Sequence, residues 1–391
     1  MTRNRRGLRL NSGNVIRRLV QQYRVFLCID CGKCTGACPL AQVDSAFSPR
    51  LFARRVIEEG IDNDYVRSKV WNCLTCGLCR ERCPEGIDFA QFVRALRRLY
   101  FESGQSGHLS HGGALQGLMR MQAARRLAQR RCEWISPDLK VAQGGELLYF
   151  VGCLPYFDLF FNELGVNMLP IAADTVRIFN ALGITPVVLP DERCCGHDLY
   201  WSGDERNFRR LRDLNLAGFR QAGVKTIVTS CAECSYTLKH LYADPSAPLP
   251  FEVMHLSEFL HAAGVKAVRR SPLTATFQDP CRLARFQGIC DQPRELLGSA
   301  VALREMRHWG TAGWCCGNSS WLHCDRYSKQ MQVERLCEAR DTGADLLVTA
   351  CPKCQIHLRC AMRDVNRRGN LTMEIRDFAS IMAPAVCGTE P

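Results

Sequence analysis

No run in this sequence of 391 residues is apolar for long enough to cross a bilayer; residues 146–152 and 171–184 come nearest and are too short or too interrupted. Nor does an apolar stretch follow the Arg5–Arg6 pair near the start, where residues 11–22 are polar and basic. A twin-arginine export signal is therefore not expected, and the reading is a cytoplasmic protein that meets a membrane only through a partner. No G-x-G-x-x-G fingerprint follows a strand pattern, so neither flavin nor nicotinamide is expected in this chain. Acidic residues are scarce in two places: residues 1–27 hold seven arginines and no acid, and Glu102 is the only acid in residues 94–131. A solvated face explains such tracts, and so does docking to an acidic partner, because complementary charge speeds encounter.

The basic balance does not point to nucleic acid. The formal charge of +12 counts every cysteine as neutral. Any cysteine that ligates metal does so as a thiolate, so a metal-loaded chain lies much nearer neutrality. Cysteine is what the sequence has in excess, 24 residues in all. In a small secreted domain that density would mean disulfides, whereas in a cytoplasmic chain of this length it means metal.

Eight of these cysteines form two runs, Cys28-x-x-Cys31-x-x-Cys34-x-x-x-Cys38-Pro39 and Cys73-x-x-Cys76-x-x-Cys79-x-x-x-Cys83-Pro84. Both match the ligand run of bacterial ferredoxins. Two-residue gaps let one tight loop offer three thiolates to a [4Fe–4S] cube, Gly32 and Gly77 fit close backbone approach, and the prolines turn the chain away. The fourth cysteine of such a run ligates the other cluster, so Cys28, Cys31, Cys34 and Cys83 are expected on one cube and Cys73, Cys76, Cys79 and Cys38 on the second. Zinc would use two C-x-x-C pairs and leave the other cysteines of each run unexplained.

The remaining pattern is an internal repeat. From residue 146 onward short β-rich runs alternate with helical patterns, as in α/β domains with a parallel sheet. In the first copy the strand 146–151 runs into Cys153, the strand 185–189 leads to Cys194-Cys195-Gly196, and the strand 225–229 ends at Cys231-Ala-Glu-Cys234, with a last strand at 251–256. In the second, 273–278 runs into Cys281, 303–307 precedes Cys315-Cys316-Gly317, and 345–349 ends at Cys351-Pro-Lys-Cys354, with a last strand at 371–375. The three motifs recur at offsets of 128, 121 and 120 residues. Strand ends of a parallel sheet meet at one edge, which would gather five sulfurs per copy from distant positions. Five thiolates are one more than a cube needs, so an unusual cluster is implied.

The expected fold class is thus mixed α+β and α/β. Residues 1–113 form a helical ferredoxin-like domain, 114–145 a basic helix (114–131) and linker, and 146–268 and 269–391 two α/β domains. Helices are expected at 50–59 and 89–100, and a Gly/Ser/His-rich linker at 102–113. His197 follows the first vicinal pair, Asp279-Pro280 precedes Cys281, and Lys353 sits inside the last C-x-x-C. These are candidates for protonating a leaving thiolate or tuning a cluster, with His197 and Lys353 foremost. His240, His255, His308 and His323 have no partner visible in the sequence. The other six cysteines, Cys132, Cys290, Cys324, Cys337, Cys360 and Cys387, read as small buried hydrophobes.

The five-cysteine pattern resembles the cysteine-rich CCG domain of heterodisulfide reductases. Preceded by two ferredoxin runs, it is similar to the fused form in which the ferredoxin-like and catalytic subunits share one chain. The resemblance implies two non-cubane [4Fe–4S] clusters, one on Cys153, Cys194, Cys195, Cys231 and Cys234, the other on Cys281, Cys315, Cys316, Cys351 and Cys354, with a disulfide reduced between them. It also implies a complex with an electron-donor or acceptor subunit, a flavoprotein or a membrane cytochrome-type protein. Two other readings share the layout: a pure relay, as in the class II benzoyl-CoA reductase complex, and the iron–sulfur subunit of a glycolate or glycerol-3-phosphate dehydrogenase-type system. In the latter group the CCG motifs are commonly incomplete, whereas both are whole here.

Overall fold

The computed structural model describes residues 12–243, 248–364 and 371–389. Arg5–Arg6 and the first part of the basic tract 1–27 lie outside the described residues. The chain divides into two compact units that do not follow its order. One comprises residues 1–118, 198–207 and 317–331, the other 119–197, 208–316 and 332–391. The segment after each vicinal cysteine pair is therefore grouped with the amino-terminal region.

The first unit is helical. The helix expected at 50–59 spans Pro49–Glu59, with Ser48 as its cap accepting from the Leu51 N–H at 3.1 Å and proline at its first position. The one expected at 89–100 spans Phe89–Glu102 and is capped by Asp88, which accepts from the Gln91 N–H at 3.1 Å. Apolar residues at helical spacing bury Phe52, Val56, Phe92 and Leu96 completely, and Phe52 meets Phe89 edge-on at 5.7 Å. The expected linker 102–113 is anchored rather than free. A tight turn at Ser110–Gly113 buries Ser110, whose hydroxyl donates to the His323 carbonyl at 3.0 Å.

Arg97 is the tie of this unit. It is fully buried, and its guanidinium donates to the carbonyls of Val70 (3.0 Å), Trp71 (3.0 Å), Cys73 (2.6 Å) and Trp201 (3.1 Å). One planar fork thus holds the chain that runs into the second cysteine run. Arg97→Met is expected to strand these acceptors and cost about 3 kcal/mol or more, read as a fall in the thermal unfolding midpoint under argon. Arg97→Lys should rescue little, since a single ammonium cannot reach four carbonyls. Unchanged unfolding in Arg97→Met would contradict this account.

The second unit holds two parallel sheets. The first is β1 (Leu147–Tyr149), β2 (Thr226–Thr229) and β3 (Glu252–His255), in that order. The second adds β4 (Thr274–Gln278), β5 (Ala302–Leu303), β6 (Leu346–Thr349) and β7 (Glu374–Asp377), ordered β5-β4-β6-β7. The sheets superpose in topology: β1, β2 and β3 stand where β4, β6 and β7 stand. The short β5 has its counterpart in a parallel bridge from Val187 to Leu148. The expected α/β pair is thus present, with strands mostly shorter than their apolar runs and the last one shifted to 374–377. Both central strands are buried on both faces, Ile227, Val228, Leu346, Leu347 and Val348 completely, which is why they read as continuous apolar runs.

The helix expected over 114–131 stops at Gln122. Beyond it the chain turns so that Arg131 lies buried against Glu192, a contact that a continuous helix could not make. Among the described residues no helix is long and apolar enough to cross a membrane.

Candidate functional site

In the helical unit the two cysteine runs fold alike. Each has a left-handed residue between its first two cysteines, Asp30 (φ 57°) and Thr75 (φ 47°), and a left-handed glycine after the second, Gly32 (φ 77°) and Gly77 (φ 79°). Each glycine opens a one-turn helix, Lys33–Ala37 or Leu78–Glu81, that carries the third cysteine. The loop can therefore curl its sulfurs toward one point, which an L side chain at the glycine would resist. Arg50 holds Asp30 through its carboxylate at 3.1 Å, and the Thr75 hydroxyl lies 2.9 Å from that of Ser319.

Two hollows result. Cys28, Cys31 and Cys34 line one together with Cys83; Cys73, Cys76 and Cys79 line the other together with Cys38. The fourth cysteine of each run thus crosses to the other run's hollow, while Cys79 also borders the first. The remaining lining is largely carbon, including Pro49 and Phe89 in both. Burial pushes the Cys38 and Cys79 thiols well above their ordinary range. Thiols in such surroundings gain charge readily only against a shared cation. With the shared Cys79 counted to the second, each hollow has four sulfurs, the number of thiolates one [4Fe–4S] cluster takes. The two hollows differ in exposure: Cys28 and Cys31 are exposed, Cys73 and Cys76 buried.

In the second unit the cysteines stand at strand ends and helix starts. β1 leads to Cys153, the cap of a helix at Leu154–Phe160; β2 leads to Cys231, the cap of one at Ala232–Tyr236. β4 leads through Pro280 to Cys281 at the head of Cys281–Gln287, and β6 leads to Cys351, the cap of Pro352–Met362. Gly152 (φ 67°) passes so close that a Cβ there would lie 3.1 Å from the Cys234 sulfur, and at Gly196 (φ 81°) a Cβ would lie 2.8 Å from the Phe208 ring. The glycine of the first vicinal motif is thus required by conformation and by space.

The first five sulfurs are brought together. All are free thiols in hydrogen-bond contact: Cys153 with Cys194, Cys194 with Cys195, Cys195 with Cys234 at 3.4 Å, and Cys234 with Cys231. In the second copy Cys316 is in hydrogen-bond contact with Cys354, and Cys354 with Cys351. Cys315 is buried and Cys281 half-buried. The copies touch: the Ala232 N–H donates to the Ala350 carbonyl at 3.3 Å, and the free Cys231 is in hydrogen-bond contact with Cys351, which together with Cys234 lowers the Cys231 thiol. The two sites are therefore neighbours that meet at their C-x-x-C pairs.

Charged side chains brace this assembly. Glu192 accepts from the N–H groups of Val151 (3.1 Å) and Gly152 (2.8 Å) and pairs with Arg131, which donates to the carbonyls of Glu192 and Gly152 at 2.6 Å. The loop entering Cys153 is thus tied to the one entering Cys194. In the second copy Asp279, just before Pro280-Cys281, takes a two-pronged bond from Arg294 at 2.7 Å and the Gly310 N–H at 2.7 Å. His197 and Lys353 converge on one carboxylate, with His197 Nδ1 3.3 Å and Lys353 Nζ 2.9 Å from Glu233 Oε2. Arg282 donates to His197 Nε2 at 3.0 Å. Arg131, Glu192, Glu233 and Arg282 were not singled out from the sequence. Glu233 could have been, since it occupies in the first C-x-x-C the place of Lys353 in the last.

The four histidines that showed no partner in the sequence sit in structural surroundings. His255 caps the helix Leu256–Ala262 and burial lowers it to about 4; His323 is likewise lowered to about 4 and bonds the Asn72 carbonyl at 2.9 Å. His308 bonds Glu338 and stacks on Trp314 at 4.8 Å, and burial lowers His240. The six cysteines outside the motifs are not core residues as expected. Cys324 is exposed and the other five are half-buried, because they lie on helix flanks and turns rather than inward faces.

Comparison with known proteins agrees with this geometry. A cysteine-rich domain model (CCG) matches residues 147–239 and 275–359, and a 4Fe-4S dicluster domain model matches 24–87. A subunit of the dihydromethanophenazine:CoB–CoM heterodisulfide reductase of Methanosarcina barkeri is 27% identical over 380 residues, covering 87% of this chain and 89% of that protein. An uncharacterised iron–sulfur protein of Methanocaldococcus jannaschii is 27% identical over 377 residues, covering 92% of this chain and 73% of its own length. The crystal structure of a hypothetical protein from Helicobacter pylori shares the fold at a TM-score of 0.60 and 10% identity, covering 97% of this chain and 77% of that one.

Proposed function

We propose that this heterodisulfide reductase-like iron–sulfur protein, a subunit of a hetero-oligomeric oxidoreductase, carries electrons through two cubane [4Fe–4S] clusters to two non-cubane [4Fe–4S] clusters where a disulfide is reduced. Cys28, Cys31, Cys34 and Cys83 would hold the first cube, and Cys38, Cys73, Cys76 and Cys79 the second. Cys153, Cys194, Cys195, Cys231 and Cys234 would hold one non-cubane cluster, and Cys281, Cys315, Cys316, Cys351 and Cys354 the other. The observation that carries this reading is the contact of Cys231 with Cys351, which makes the two five-cysteine sites neighbours.

When bound, the clusters supply one-electron steps and irons that can hold sulfur. Cleavage of a disulfide consumes two electrons and two protons and releases two thiols. This chain's part is to hold the sites adjacent, to exclude water from their sulfurs, and to keep a protonated group at hand. Lys353 Nζ, buried beside the C-x-x-C pairs, is the candidate; His197 accepts from Arg282 at Nε2, which leaves its ring proton on Nδ1 toward Glu233. Electrons would enter at the first hollow, where Phe26 (58% exposed) and Ile29 (62% exposed) flank Cys28 and Cys31 and the exposed Arg24 and Lys33 add positive charge. A flavoprotein or membrane cytochrome-type subunit presenting an apolar centre and an acidic rim fits this surface. A relay without disulfide chemistry is favoured by one observation, the burial of both vicinal pairs.

The test is anaerobic protein reduced with dithionite and offered a small disulfide. It should contain about sixteen irons, four per cluster, and release two thiols per disulfide above the dithionite blank. About sixteen irons with no thiol release would leave the relay reading, and about eight would remove the non-cubane sites.

A further inference from the structure

Glu233 and Lys353 are mates in the internal repeat: each is the third residue of its C-x-x-C motif, 120 residues apart. At a two-fold interface a residue on the axis meets its own mate. Cys231 and Cys351, also 120 apart, do so through their hydrogen bond, and the Ala232 N–H beside them donates to the Ala350 carbonyl at 3.3 Å. Like charges facing each other here would repel. The repeat has diverged to one acid and one base, 2.9 Å apart, and both heads are largely withdrawn from water.

Two more buried groups extend the pair. His197 reaches Glu233 from the first vicinal motif, and Arg282, next to Cys281, reaches His197. Arg282 also lies over the Phe286 ring at 4.3 Å. Each of the four belongs to, or stands within two residues of, a different cysteine motif, two from each copy. Breaking such a chain at one member leaves its buried partner uncompensated, which is far costlier than loss of a surface pair.

We propose that Arg282–His197–Glu233–Lys353 is a buried bridge that fixes the spacing of the two five-cysteine sites, with the Glu233–Lys353 pair as the contact across the pseudo-two-fold axis. In this bridge the four act as positioning residues, a role separate from proton supply by Lys353. The inference rests on the reading that each site holds a cluster, and its consequence is that the two clusters interact magnetically.

The experiment is electron paramagnetic resonance of the anaerobic full-length protein, poised so that both five-cysteine sites are paramagnetic, with iron measured on each sample. The unmutated protein should show splitting between the two signals. Lys353→Met and Glu233→Gln should each lose that splitting, with the signals of the two ferredoxin-like sites unchanged, whereas Lys353→Arg should keep it. The double variant should be no worse than the worse single one, because its members act as a unit. Splitting retained in both single variants, or losses that simply add in the double, would overturn the bridge. If the single variants fail to load these two sites, the readout becomes iron. Lys353→Arg must then restore it, and failure to do so also overturns the bridge. About eight irons in the unmutated protein would instead overturn the two-cluster reading itself.

Discussion

Cys195→Ser is expected to abolish dithionite-driven disulfide cleavage and to lower iron from about sixteen to about twelve per chain. Cys195 is buried, follows Cys194 directly, and lies 3.4 Å from the Cys234 sulfur. A vicinal pair can serve two adjacent irons of one cluster, so removing one sulfur would leave an iron without its ligand beside the buried Cys194 and Cys234. Serine is a poor substitute, because its hydroxyl stays protonated where a thiol would ionise. The ferredoxin-like sites draw no ligand from this set and should keep their eight or so irons. Cys324→Ser is the matched control: it is exposed, belongs to no motif, and should change neither iron nor activity. Full cleavage by Cys195→Ser, or equal loss in the control, would refute the assignment of the first five-cysteine set.

A second large effect separates the wire from the site it feeds. Cys31→Ser or Cys76→Ser should cut electron flow from the physiological partner by about a hundredfold or more, since even the outer support of a metal ligand is worth 10–100-fold. Cleavage driven directly by dithionite should persist in both, because the ten carboxy-terminal motif cysteines are intact. The two variants should differ in one respect. Cys31 is exposed beside Phe26 and Ile29, so its loss is also expected to weaken partner binding, whereas the buried Cys76 should leave binding unchanged. Dithionite-driven cleavage falling as far as partner-driven flow, with the iron of the five-cysteine sites still in place, would show that the two functions are not divided in this way.

Much of this protein was legible in its sequence, because metal ligation imposes short, rigid spacing. The two ferredoxin runs put left-handed glycines at 32 and 77 and prolines at 39 and 84, local features set by a few residues each. The repeat was legible for a similar reason: strands buried on both faces must be continuous apolar runs, and the cysteines that end them keep register. The helices at 50–59 and 89–100 were read from apolar periodicity, and the caps that fix their starts, Ser48 and Asp88, act within three residues.

Where reading along the chain fell short, long-range contact decided. The helix from Ala114 ends at Gln122 although its periodicity continues, since Arg131 is drawn to Glu192, 61 residues away. The segments after each vicinal pair, 198–207 and 317–331, are grouped with the amino-terminal region, and Trp201 there accepts from Arg97. No local pattern encodes such a grouping. That eighteen cysteines group into four motifs could be read along the chain, because each run or strand end keeps its cysteines within a few residues or in register with its repeat. That Cys231 meets Cys351 and Glu233 meets Lys353 emerged only in the folded chain, because the packing of one repeat against the other is set by burial of whole surfaces rather than by any run of residues.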